Sequence, residues 1–230
     1  ENGKYYNAKG DTLSVNNLKP TIKALFDELS TKISEDDITI FYYSGHGALA
    51  SSNALPYDIR GNLAYNGCLA VGYQVDKDNL LTLYELHSGL QKLKGKKFVI
   101  LDSCHSGYMV KDTINTTNFD ELMKYGLNNL FTDNSIDNEN IWYLSAALPE
   151  QLSYEETSLG HGIFTYYLLK GLGYDPDSNI ATSSSPLAKD GLITLNELYN
   201  YTNKGVKGYG ASQVTVKGAS VLDLVLFNLK

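Results

Sequence analysis

Three short runs of β-branched and aromatic residues, 38–43, 97–101 and 141–146, alternate with segments whose apolar residues recur at helical spacing. That alternation leaves few choices. A parallel strand pair needs a long crossover, and a helical crossover lies on a sheet face and covers it. The pattern predicts a layered α/β fold, an α/β/α sandwich around a mostly parallel central sheet. In the first interval Ile22, Leu25, Phe26, Leu29 and Ile33 share one helical face, with Pro20 in the first turn, so a helix is expected over 18–33. Thr82 and Glu85 form a capping box for a helix running towards Leu93, and Gly95 ends it. Thr194 and Glu197 repeat that pattern, and another helix is expected over 162–172. Residues 48–79 read as an irregular excursion with a hairpin around 68–73, residues 108–139 as a polar linker, and 213–216 with 221–227 as a terminal pair of strands.

In sheets of this kind, sites form at the carboxyl ends of strands. The first run ends in a glycine-rich loop, Gly45-His46-Gly47, and the second delivers Asp102-Ser103-Cys104-His105-Ser106-Gly107. A thiol is a strong nucleophile only as the thiolate, which a nearby imidazole can generate or stabilise. Cys104 and His46 supply that pair, and catalytic partners need meet only in space. The backbone N–H groups of Gly47 and Cys104 are candidates for holding an oxyanion. Taken singly, a strand-end cysteine is more often a packed small hydrophobe, and a loop histidine is equally unremarkable.

Composition narrows the partners. The net charge of -7 argues against nucleic acid, which needs clustered Lys and Arg, and is compatible with cationic substrates. Two cysteines, Cys68 and Cys104, make no disulfide framework. No run approaches the length of a membrane span and no signal peptide is visible, so a soluble protein is expected, cytoplasmic or secreted after removal of an upstream segment. Arg60 is the sole arginine among many Lys, Asn and Tyr, the bias of an AT-rich coding sequence, and hints at a bacterial source.

The strings Phe41-Tyr42-Tyr43-Ser44-Gly45-His46-Gly47 and Leu101-Asp102-Ser103-Cys104-His105-Ser106-Gly107 resemble the two catalytic signatures of metacaspases and bacterial, orthocaspase-type, caspase-like peptidases. Residues 144–172, with Gly160-His161-Gly162-Ile163-Phe164-Thr165, are similar to the small-subunit-like half of bacterial members. The resemblance implies a Cys104–His46 dyad working through a thioester, with Ser44 and Asp102 lining an S1 pocket for Lys or Arg. From spacing alone, Asp102 could equally cap a following turn or helix. It further implies one peptidase domain over 1–230, with a large-subunit-like part at 1–107, a linker at 108–139 and a small-subunit-like part at 140–230. Two departures stand out. Only residues 1–17 precede the first helix, where the family sheet has a further strand and helix, and the stretch from Ala48 lacks the acidic run of calcium-dependent metacaspases. Calcium activation is therefore not expected, and the chemistry itself needs no cofactor.

The remaining candidates carry less. His105 adjoins Cys104, but neighbouring side chains diverge; His87 is expected to be solvated, His161 structural and Cys68 a packed thiol. Residues 175–179 begin like a calcium loop, yet Ile180 and Pro186 occupy its glycine and bidentate-acid positions, so a turn is expected. The reading that follows is a cysteine endopeptidase acting on peptides or proteins with basic P1 residues, with self-cleavage at Lys111 or Lys124 of the linker. Its rivals are a non-catalytic interaction module of the same fold, and a clostripain- or gingipain-type relative with the same dyad.

Overall fold

The computed structural model describes residues 5–6, 12–13, 18–49, 67–72, 78–104, 140–147, 162–178, 180–181, 185–209, 214–217 and 224–228. They form, in chain order, β1 (Tyr5–Tyr6), β2 (Thr12–Leu13), α1 (Leu18–Ser30), β3 (Ile38–Leu49), β4 (Gly67–Ala70), β5 (Leu80–Thr82), α2 (Leu83–Gln91), β6 (Lys96–Cys104), β7 (Ile141–Ala147), α3 (Ile163–Gly171), β8 (Tyr174–Asp175), β9 (Ile180–Ala181), β10 (Leu192–Thr194), α4 (Leu195–Gly208), β11 (Val214–Lys217) and β12 (Val225–Asn228). Six strands make the central sheet in the order β11-β7-β6-β3-β4-β5. Its long central pairings, β3 with β6 and β6 with β7, are parallel. Shorter antiparallel strands flank them on both sides.

The near-continuous apolar run of β6 is that of a strand covered on both faces. Val99 and Leu101 pack with Phe26 of α1 and Leu83, Leu86 and Leu90 of α2. Phe98 and Ile100 pack on the opposite face with Phe164 and Leu168 of α3 and Leu195 and Leu198 of α4. The result is the α/β/α sandwich expected from the sequence. Each fully buried leucine contributes on the order of 1.5–3 kcal/mol relative to exposure, so the two helical layers hold the sheet between them.

Local signals locate the helix ends. The Glu85 N–H donates to Thr82 Oγ1 at 3.0 Å and the Thr82 N–H to Glu85 Oε2 at 3.1 Å, so α2 starts at Leu83 with β5 running directly into it. Thr194 and Glu197 do the same for α4, at 3.2 and 3.0 Å. α1 stops at Ser30, short of the expected 33; just beyond, Asp37 Oδ2 accepts from both the N–H and the hydroxyl of Ser34 at 2.8 Å, closing a turn instead. Residues 176–178 turn between the antiparallel β8 and β9, with Asp175 accepting from the Ser178 hydroxyl, while position 179 lies outside the described residues.

Three expectations need correction. The C-terminal strands do not pair with each other: β11 extends the central sheet beside β7, while β12 pairs with β10. Apolar alternation marks a strand but does not name its partner, and here Leu224 and Leu226 are drawn into the layer of α3 and α4. Gly45-His46-Gly47 is not a loop: β3 runs on to Leu49, because β4 supplies an antiparallel partner from Gly47 onward, just beyond the last β6 pairing at His46. His87 is not solvated but 1% exposed, its Nδ1 3.0 Å from the Tyr143 hydroxyl. With Leu83, Leu86 and Leu90 it lies on the i, i+3, i+4, i+7 stripe that α2 turns to the sheet.

The crossing of α1 and α2 depends on Gly89. A Cβ there would lie 2.3 Å from Phe26 Cδ2, and the Phe26 ring is buried against Phe41 at a centroid distance of 6.4 Å. Gly89→Ala gains about 1 kcal/mol of helix propensity. It loses more by overpacking, about 1–3 kcal/mol, because the ring has nowhere to turn. The expected outcome is a Tm lower by about 2–4 °C in thermal unfolding; an unchanged or higher Tm would show that the helices separate at no cost.

Candidate active site

The described parts of the two chemistry-bearing strings, 41–47 and 101–104, sit on β3 and β6, parallel neighbours that run in the same direction through the sheet. Their register pairs Ser44 with Asp102 and, two positions further on, His46 with Cys104. Paired positions on adjacent strands are about 4.8 Å apart, and alternate positions on one strand, about 6.6 Å apart, share a face. Four residues singled out in the sequence thus occupy two successive register pairs of equal parity. The histidine and cysteine positions end the parallel ladder. Gly47, the next residue of β3, pairs with Leu69 of β4.

Beneath the terminal pair lies a buried carboxylate. Asp102 is 2% exposed, and its Oδ2 accepts from the Thr165 hydroxyl of α3. The Thr165 backbone N–H also donates to the carboxylate. Tyr42 on β3 places its hydroxyl 3.0 Å from Thr165 Oγ1. The single Thr165 proton is committed to Asp102, so Tyr42 is the donor in that second bond. Gly162, the N-cap of α3, has no side chain with which to cap the helix, and a Cβ there would lie 2.9 Å from Asp102 Oδ2. Asp102 therefore caps the first turn of α3 from a distant strand, close to the positive end of the helix dipole.

The other oxygen is the unusual one. Asp102 Oδ1 is buried and has no hydrogen-bond partner among the described residues. A buried polar atom in that state costs on the order of 1–3 kcal/mol, more when charged. Desolvation pushes the Asp102 carboxyl above its ordinary range, and the two Thr165 hydrogen bonds offset this only in part. The carboxyl is thus held in place through one oxygen while the other awaits a donor. Ser44, its register neighbour, is exposed.

Cys68 is wholly buried, packed with Leu80 and Ala70, as expected of a packed thiol. His105, Lys111, Lys124 and His161 lie outside the described residues. Thr165, Tyr42 and Gly162 had not been singled out for the site. All three lie within the strings that carry the resemblance, without a role assigned to them; the contact of Thr165 with Asp102 joins elements far apart in the chain. Among the described residues no group of three or more His, Cys, Asp or Glu could hold a metal ion, and no helix is long and apolar enough to cross a membrane.

Residues 5–219 match the family model of the caspase domain. No curated protein gives a match. The crystal structure of protein GSU0716 from Geobacter sulfurreducens is similar over 93% of this chain and 80% of that one, with a TM-score of 0.48 and 16% identity.

Proposed function

Since the chain belongs to the caspase domain family, a family of cysteine peptidases, we propose that it is an endopeptidase of the metacaspase-like branch cutting after lysine or arginine. The observation that carries this reading is the register of β3 on β6, which sets His46 beside Cys104 directly above Ser44 and Asp102. In the proposed reaction His46 takes the Cys104 proton, and the thiolate adds to the scissile carbonyl carbon. The N–H groups of Gly47 and Cys104 hold the resulting oxyanion. Collapse breaks the C–N bond, His46 protonates the departing amine, and a thioester remains. His46 then deprotonates water, which attacks the thioester and restores the thiol as the acid product leaves. Asp102, with Ser44 beside it, meets the P1 cation.

The test is a thiol-reactive peptide probe with lysine or arginine at P1, followed by mass-spectrometric location of the adduct. Labelling of Cys104 that a P1-aspartate probe does not reproduce supports the reading. Labelling by neither probe would favour a non-catalytic interaction module of the same fold, and preference for the acidic probe would sink the basic specificity.

The polar segment 108–139 contains Lys111 and Lys124 as its only basic residues. An enzyme of this specificity would cut itself there, separating the parts at 1–107 and 140–230. Mass spectrometry of the active protein should show termini at Lys111 or Lys124 that are missing from Cys104→Ala. An uncut active protein, or identical cuts in both, would rule self-processing out.

A further inference from the structure

The acidic partner built into this site offers one carboxylate oxygen, not two, and from this we propose that the enzyme selects lysine over arginine at P1. The inference rests on the reading of Asp102 as the P1 partner. Arginine's advantage over lysine towards a carboxylate comes from two parallel N–H···O bonds, which need both oxygens open on the approaching side. Asp102 does not provide them. Its Oδ2 accepts from the Thr165 hydroxyl and lies against Gly162, where even a methyl group would come within 2.9 Å, while the Thr165 N–H ties the carboxyl to the first turn of α3. Oδ1 is left as the buried acceptor without a partner among the described residues.

An ammonium is a compact charge with three freely directed protons. One reaches Oδ1, and another can go to the hydroxyl of Ser44 at the neighbouring register position. A guanidinium reaching the same oxygen turns its second donor towards Oδ2, whose surroundings Thr165 and Gly162 already occupy. That donor is desolvated without a partner, and a site discriminates strongly against groups it leaves unpaired. Thr165 is accordingly a positioning residue for specificity, and Tyr42, 3.0 Å from its hydroxyl, holds it in place.

The experiment compares kcat/KM for matched fluorogenic peptides that differ only in Lys or Arg at P1. The parent should favour lysine by at least about tenfold, roughly the value of a single neutral hydrogen bond. Thr165→Val removes the hydroxyl that occupies Oδ2 and should narrow the ratio by several fold, whereas Thr165→Ser should keep the parent ratio. Loss of general stability lowers both rates together, so the ratio reads positioning alone; should Thr165→Val fail to fold, Tyr42→Phe should narrow the ratio in the same direction. A parent that cuts arginine as fast as lysine overturns this inference and leaves the basic specificity standing, and so does a ratio that Thr165→Val leaves unchanged. Cleavage of neither peptide overturns the basic specificity and the inference together.

Discussion

Cys104→Ala is expected to abolish peptide hydrolysis, and Cys68→Ala to leave it largely intact. A covalent nucleophile has no substitute at its position, and losing one in comparable enzymes lowers kcat on the order of a millionfold. The two cysteines differ in placement in a way that makes the comparison informative. Cys104 ends the parallel ladder opposite His46, at the edge where α/β sheets assemble their sites. Cys68 lies on β4 with no exposed surface, enclosed by Leu80 and Ala70. Trimming it to alanine removes one buried atom, a cost of about 1 kcal/mol in stability and nothing in chemistry. Burst and steady-state assays on both variants, with circular dichroism to show that each is folded, decide the matter. Comparable loss in the two folded variants would remove Cys104 from its assigned role.

Asp102→Ala should lower kcat/KM for peptides with Lys or Arg at P1 by at least about a hundredfold. Removing one partner of a buried, hydrogen-bonded charge pair costs on the order of 2–5 kcal/mol, and each ~1.4 kcal/mol is a factor of ten. The structure adds a second readout that separates specificity from folding. Burial raises the Asp102 carboxyl above its ordinary pKa, so the folded chain holds that proton more tightly than the unfolded chain. Linkage then makes the contribution of Asp102 to stability fall as pH rises from the ordinary carboxylate range through the raised value. Asp102→Asn keeps an acceptor for Thr165 and carries no charge. It should therefore be more stable than the parent at neutral pH, with the difference shrinking towards acid, while losing cleavage after basic residues. A folded variant that keeps its Lys and Arg preference, or a parent that prefers Asp at P1, would refute the assignment. An Asp102→Asn variant less stable than the parent at neutral pH would show that the helix-capping bonds outweigh the desolvation.

Much of this was legible in one dimension because the signals are local. The runs at 38–43, 97–101 and 141–146 carry the β-branched and aromatic density of buried strands, and each became one. Thr82 with Glu85 and Thr194 with Glu197 located two helix starts to the residue, since a capping box is closed by neighbours three positions apart. The buried stripe of α2 also ran through His87, a periodicity that was present and was outweighed by polar neighbours. Asp102, His46 and Cys104 could be picked out as chemistry-bearing residue types near the ends of two strand-forming runs, whereas Ser44 entered only through the resemblance to caspase-like peptidases.

What no local signal held is how those ends meet. A parallel register is set by two faces finding their helical layers, and slipping it by one residue would turn every side chain of the strand to the wrong face. It was this long-range packing that paired Ser44 with Asp102 and His46 with Cys104. The same packing sent β12 to β10 instead of β11 and carried β3 through Gly47 onto β4. It also brought the first turn of α3 against Asp102, occupying one carboxylate oxygen with Thr165 and leaving the other without a partner among the described residues. The sequence by itself determined which of the main elements form and where two helices start, because helix caps and strand composition act over a few residues. Only the tertiary structure decided the register, the partner of each edge strand and the environment of Asp102, because these depend on which distant surfaces are buried together.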